Sequence, residues 1–424
     1  PNLSVAFYQK LWRSIDEPWI LYLALLMHDT GRAANAKSHD DESVILANAV
    51  CRRFVIKGAQ RQLLIFLVDN HLLMYRTATG KNLEDPRVVE EFAGIIRTQA
   101  NLDTLLVMTY ADSKGTSTQS WSGYKEASIR RLYHLTTEFL NAPADFMERA
   151  AAPVHELRDT VIKKLGAGWS EELKAHFEGM PPAYFNFLDT ETVIAHLRQF
   201  RAFFVHLTEE HSSNGLLPIV TWKDLPEQGC SEITLTCWDR PQLLARVAGA
   251  LAAQSINILS ADLYRRNDDL VLDTFRVCNT NFAPVTSKNA RLRFEQDLNN
   301  SFLDTQFDFS KAIIPQKKAS PEFEAMLAEI PQRIFIDTTV SPDETIIELQ
   351  AVDRLGLLYD VLKTIGNLRY NVTHARINTE KGVAVDAIYI RNAQGQKVIL
   401  QAELNTLAKA LAKAIQGEVA TAIR

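Results

Sequence analysis

Apolar residues recur at intervals of three and four through the first third of the chain. Leu102, Leu105, Leu106 and Thr109 make one such stripe, and Ile129, Leu132, Tyr133 and Leu135 another. This is the period of a helix, and strand-like alternation is scarce before residue 140. Helices are also predicted over 144–165, behind Pro143, over 170–179 and over 191–205. The Gly166-Ala167-Gly168 and Met180-Pro181-Pro182 breaks mark loops between them. Near residue 218 the period falls to two. Ile233, Leu235 and Cys237 alternate with Thr234, Thr236 and Trp238, which predicts a half-buried strand. Asp239-Arg240-Pro241 then opens a helix carried by Leu243, Leu244, Val247 and Leu251. Short strands follow over 256–264 and 270–277 around the turn Asn267-Asp268-Asp269, then a helix over 287–299. A closing strand near 312–315 would complete a βαββαβ unit.

The pattern returns. Ile347, Leu349 and Ala351 alternate, Asp353-Arg354-Leu355-Gly356 follows, and Leu358, Val361, Leu362 and Ile365 form a helical face. Strands over 371–378 and 383–390 and a helix over 404–415 complete the copy. Asp239 and Asp353 lie 114 residues apart, as do Asn257 and Asn371, while Asp273 and Asp386 lie 113 apart. One module is therefore present twice.

Composition narrows the function classes. With 46% hydrophobic and 23% charged residues, the 424-residue chain is neither disordered nor fibrous. Its 46 basic against 51 acidic residues give a net charge of −5, which does not suit non-specific nucleic-acid binding. The apolar run at 20–27 is far short of the ~18 residues that span a bilayer, so no membrane partner is expected. Four cysteines without a CxxC spacing are expected to be reduced, in a cytoplasmic setting. Pro1 rather than Met at the start is what a processed chain or an excised piece would show.

The chemistry-bearing residues of the helical part are His28-Asp29, His71 and Asp112, each on or beside an apolar helix. Imidazole nitrogens and carboxylate oxygens suit Mg, Mn, Fe or Zn. The stretches Leu26-Met27-His28-Asp29-Thr30-Gly31-Arg32, His71-Leu72-Leu73-Met74 and Thr109-Tyr110-Ala111-Asp112 resemble the HD phosphohydrolase domain. More narrowly they resemble that of the bifunctional uridylyltransferase/uridylyl-removing enzymes acting on the PII nitrogen-signal protein. Trp121-Ser122-Gly123-Tyr124-Lys125 and Arg131-Leu132-Tyr133 match as well. The resemblance implies a divalent metal, Mg or Mn, on His28, Asp29, His71 and Asp112. It implies catalytic roles for His28, Asp29, Arg32 and His71, and hydrolysis of uridylyl-tyrosine on PII to UMP. Three departures are visible. No His precedes His28, Arg32 replaces the family's Lys, and Asp41-Glu42-Ser43 stands where the family has Asp-His-Ser.

The repeated modules resemble ACT domains, which in the same family sense glutamine. Trp238-Asp239-Arg240-Pro241, the hairpin stretch Val271-Leu272-Asp273-Thr274-Phe275 and Val352-Asp353-Arg354-Leu355-Gly356-Leu357-Leu358 carry that resemblance. Pro182-Ala183-Tyr184-Phe185 with His196 resembles the family's connector. A helix start attracts a carboxylate, and a Gly lets a ligand reach the backbone. Gly356 supplies this in the second module and Gln242 stands at its place in the first. Asp353, Gly356 and Asn371 are thus the favoured ligand contacts, with Asp239 and Asn257 their counterparts; the two aspartates serve equally well as helix caps. ACT modules also pair side by side, within or between chains.

The expected architecture is an all-α HD-type helical domain (1–142), a helical connector (143–228) and two α+β ferredoxin-like (βαββαβ) ACT domains (229–318 and 332–424). The family's nucleotidyltransferase motif is absent from these residues, so uridylyl transfer is expected only with an upstream domain. Two other readings stay open: a catalytically silent glutamine sensor, and an HD hydrolase of another phosphoester.

Overall fold

The computed structural model describes residues 3–33, 39–81, 83, 85–116, 121, 123–150, 155–185, 188–209, 213–304, 307–313, 332–339, 341–377, 379–380 and 383–416. The chain divides into two compact units, 1–151 and 152–424.

The first unit is helical among its described residues. In chain order it holds α1 (Leu3–Arg13), α2 (Pro18–Met27), α3 (His39–Arg53), α4 (Gly58–Asp69), α5 (Leu73–Gly80), α6 (Pro86–Ile96), α7 (Gln99–Thr116), α8 (Gly123–Asn141) and α9 (Pro143–Ala150). α2 starts with Pro18 in its first turn, where the missing N–H costs nothing, and buries Ile20, Leu21, Ala24 and Met27. α7 buries the stripe read from the sequence, Leu102, Leu105, Leu106 and Thr109. Met27, Met74 and Met108 all lie in this core, filling gaps between helices.

The second unit opens with α10 (His155–Leu165), α11 (Ser170–Gly179) and α12 (Thr190–Glu209). The single helix expected over 144–165 is thus seen as α9 and α10, with 151–154 outside the described residues. Its nine described strands are β1 (Ile219–Leu225), β2 (Cys230–Trp238), β3 (Asn257–Arg265), β4 (Leu270–Cys278), β5 (Arg333–Asp337), β6 (Thr345–Val352), β7 (Asn371–Arg376), β8 (Thr379–Glu380) and β9 (Val383–Arg391). They form one antiparallel sheet in the order β1-β2-β4-β3-β7-β9-β6-β5, with β8 paired to β9. Four helices cover one face: α13 (Leu243–Ala253), α14 (Lys288–Leu303), α15 (Leu357–Asn367) and α16 (Gln401–Gln416). The three opening helices cover the other face of the first half, packing Val193, Leu197, Phe200 and Phe203 on Leu270 and Leu272.

The two halves repeat in space as in sequence. α13 recurs as α15 after 114 residues, and β4 recurs as β9 and α14 as α16 after 113. At the seam Ser260 pairs with Arg376, Ala261 with Ala375 and Asp262 with His374. The 114-residue offset carries Ala261 onto Ala375, so the seam is a local two-fold centred on that pair.

One expectation is corrected. The first half runs ββαββα among its described residues, and the second does so with the two-residue β8 added before β9, not βαββαβ, because the extra strand comes first. β1 returns into β2 through a tight turn at Pro226–Gln228, closed by Gly229 at φ 63°. As an edge strand β1 is half exposed, and its alternation is correspondingly weak. At the proposed closing strand, Phe309–Lys311 forms a 3-10 turn and Ala312 and Ile313 are not strand; 314–315 lie outside the described residues. The four cysteines are free and buried. Cys278 neighbours Cys230, and burial pushes their thiols up to about 12 and about 11.

Candidate functional site

Local rules place the first cluster. α2 ends in an apolar run, so the chain leaves the core at His28, whose N–H still bonds to the Ala24 carbonyl. The turn beyond is pinned twice. Thr30 Oγ1 donates to the Met27 carbonyl at 2.8 Å, and the Gly31 N–H donates to the buried Ser43 Oγ at 2.9 Å. His71 sits in the turn between α4 and α5, and Asp112 in the last turns of α7.

These side chains meet. His28 Nε2 lies 3.3 Å from Asp29 Oδ2 and 3.4 Å from Asp112 Oδ1, and His71 Nε2 lies 3.8 Å from Asp29 Oδ1. Both imidazoles are oriented from behind. His28 Nδ1 donates to the Leu25 carbonyl and His71 Nδ1 to the Val68 carbonyl, each at 2.8 Å. A carbonyl only accepts, so each Nδ1 carries a proton and each Nε2 faces the carboxylates. The contact with Asp112 holds the His28 pKa above its ordinary value against the pull of burial. The same contact holds the Asp112 carboxyl below its own. The Arg32 side chain lies outside the described residues.

Two oriented imidazole nitrogens and two carboxylates are a donor set that fits a divalent cation. Their spacing is that of direct His–Asp contact: among the described residues no group of three or more His, Cys, Asp or Glu is disposed to hold an ion as it stands.

In the second unit the equivalent helix heads differ. Asp239 forms an ion pair with Arg265 at 2.8 Å, and its N–H donates to the Asp269 carbonyl. Gln242 adopts a left-handed backbone at φ 61°, and its Nε2 donates to Asn367 Oδ1 at 2.5 Å, tying α13 to α15. Asn257 opens β3 beside Cys278. In the second module Asp353 is exposed in the turn after β6, Gly356 caps α15 at φ 82°, and the exposed Asn371 opens β7 opposite Arg391. The sequence reading did not assign a role to Asp273, a buried carboxyl on the helix-covered face. Burial lifts its pKa well above the usual range, and the negative charge of Asp239 adds to this. Nor did it find Ile313, whose side chain lies against Gly356. An acid inside the apolar alternation of β4 was the available signal for the first; no local pattern marks the second.

A helical unit with a His–Asp cluster, joined to a tandem α/β unit, is the class of protein that fold and site define. Its last module is ACT-like: residues 333–424 match the ACR9-like, ACT-like domain family. The particular relatives carry the name bifunctional uridylyltransferase/uridylyl-removing enzyme. That of Gluconobacter oxydans is 29% identical over 380 residues, covering 89% of this chain and 39% of its own. Those of Rhodospirillum rubrum and Azospirillum brasilense are each 27% identical, over 93% of this chain and 41% of theirs. The chain thus spans about two fifths of the length of the curated relatives it matches. No solved structure matches it. No helix of the described residues is long and apolar enough to cross a membrane.

Proposed function

We propose that the first unit hydrolyses the uridylyl-tyrosine phosphodiester of a PII-type signal protein, releasing UMP, and that glutamine bound by the second unit adjusts that activity. The observation carrying this reading is the convergence of His28, Asp29, His71 and Asp112, from separate elements of the first unit, in proteins whose relatives are named for uridylyl removal. His28, Asp29, His71 and Asp112 would hold a divalent cation, Mg or Mn. Such a cation supplies Lewis-acid charge for the phosphoryl oxygens and activates water. The chain's own residues prepare the place. The Leu25 and Val68 carbonyls fix the proton on each Nδ1, and Asp112 accepts from His28 Nε2 whenever that imidazole is charged. The cation would replace the proton shared between His28 and Asp112.

For glutamine the second module is favoured, with Asp353, Gly356 and Asn371 as contacts. In the first module Gln242 fills the position of the glycine. The test is UMP release from uridylylated PII with Mn or Mg present and after chelation. Metal-dependent release that His28→Ala abolishes is the expected result; no release with bound metal verified would sink the hydrolase reading.

A second reading, a catalytically silent glutamine sensor, is favoured by the direct His–Asp contacts of the cluster. Metal titration by calorimetry separates the two: tight binding lost in His28→Ala supports the enzyme, and absence of binding supports the sensor.

A further inference from the structure

The stretch 307–313, between the two modules, crosses the helix pair α13 and α15 as a strap. Contacts at Asp308, Phe309 and Ile313 hold it, among them the Phe309 N–H donating to Tyr359 Oη of α15 at 3.3 Å. Asp308 Oδ1 accepts from Tyr359 Oη at 2.9 Å and from Lys363 Nζ at 3.1 Å, both on α15. Phe309 is 1% exposed and lies on Gly249 of α13, where an added Cβ would fall 2.4 Å from its ring. Ile313 lies over the head of α15: a Cβ on Gly356 would fall 3.1 Å from its Cδ1 and 3.3 Å from its Cγ2. The strap therefore ends on the backbone position that the glutamine reading needs exposed.

The two heads are covered by different means. In the first module the cover is Gln242, a residue of the head itself, bonded to Asn367. In the second it is an apolar side chain from the connecting strap, half-buried and, among the described residues, bonded there through its own turn, Ile313 N–H to the Phe309 carbonyl at 2.9 Å. A ligand cannot remove the first cover without breaking the head, whereas it can displace the second. From this we infer that the 307–313 strap is a built-in competitor of the amino-acid effector: Ile313 covers the Gly356 surface and leaves when the effector binds. The inference rests on the glutamine reading of the second module. The apparent affinity for the effector is then lowered by the fraction of molecules with the strap seated. The same displacement passes effector binding on to the segment that joins the modules.

The experiment uses L-glutamine and the whole chain. Calorimetry compares the unaltered protein with Ile313→Ala, which trims the cover, and Asp308→Asn, which loosens its anchor. Hydrogen exchange follows the Phe309 and Ile313 amides with and without glutamine. Both variants are expected to bind about three- to tenfold more tightly, and glutamine to speed exchange at the two amides. Equal affinity in all three proteins, with exchange unchanged by glutamine, overturns the strap while leaving the effector site standing. No binding to any of the three overturns the effector reading and the strap together.

Discussion

At the scale of single residues, the cluster shows how backbone carbonyls prepare side chains for chemistry. A helix end leaves carbonyls without intrahelical partners, and Leu25 uses one to fix the His28 tautomer. Sequence alone placed His28, Asp29, His71 and Asp112 on or beside apolar helices, and the structure brings them together. Ser43 was visible only as the last residue of the stretch in which Glu42 replaces the family's His, and its hydroxyl in fact fastens the turn that carries Asp29. Ser43→Ala is expected to leave that buried N–H unpaired and to cost about 1–3 kcal/mol of first-unit stability, read by urea unfolding. A change within error would mean that the turn is held by other contacts.

At the scale of elements, the seam between β3 and β7 joins the modules through charge. Asp262, Arg276, His374 and Arg376 are mostly withdrawn from solvent, with Asp262 3.0 Å from Arg276 and 3.5 Å from His374. The arginines and His374 hold the Asp262 carboxyl far below its usual range despite the desolvation that opposes its charge. Removing one member of a buried ionic group strands the rest, so Asp262→Ala is expected to destabilise the second unit by about 3–5 kcal/mol. Chemical denaturation monitored by far-UV circular dichroism checks this; a loss under about 1 kcal/mol would show that the seam rests on its strand pairing alone. Gly249 is a second element-scale constraint. Gly249→Ala improves helix propensity yet drives a Cβ into Phe309, so a net loss of about 1–3 kcal/mol is expected in the same measurement. The repeat was legible because both copies use the same alternation and the same helix face. The leading strands were not, since an edge strand with one wet side carries little pattern.

At the scale of the whole molecule, acid sensitivity has an identifiable source. His176 Nε2 lies 3.1 Å from Tyr184 Oη, which lies 2.8 Å from His196 Nδ1, all within the buried helical layer on the sheet. Burial pulls the two histidines down to about 3 and about 4. An unfolded histidine titrates near ~6.5, so below that pH the unfolded chain binds protons that the folded chain refuses. The stabilisation is fully present above ~6.5 and falls with decreasing pH, by up to about 1.4 kcal/mol per pH unit for each histidine. Urea midpoints at successive pH values between ~6.5 and ~5, above the range where free carboxylates titrate, are expected to decline, and more gently in His196→Asn. A flat profile in the unaltered protein would contradict the assignment.

The sequence by itself determined the helical first part, the duplicated module and the residues able to do chemistry, because periodicity and residue type are local properties. Tertiary structure decided what depends on contacts between distant segments. It set the His–Asp contacts, the order of strands in one continuous sheet, the ionic seam about Ala261 and Ala375, and the covering of Gly356 by Ile313. In each of these, packing chose among partners that the local pattern left equivalent.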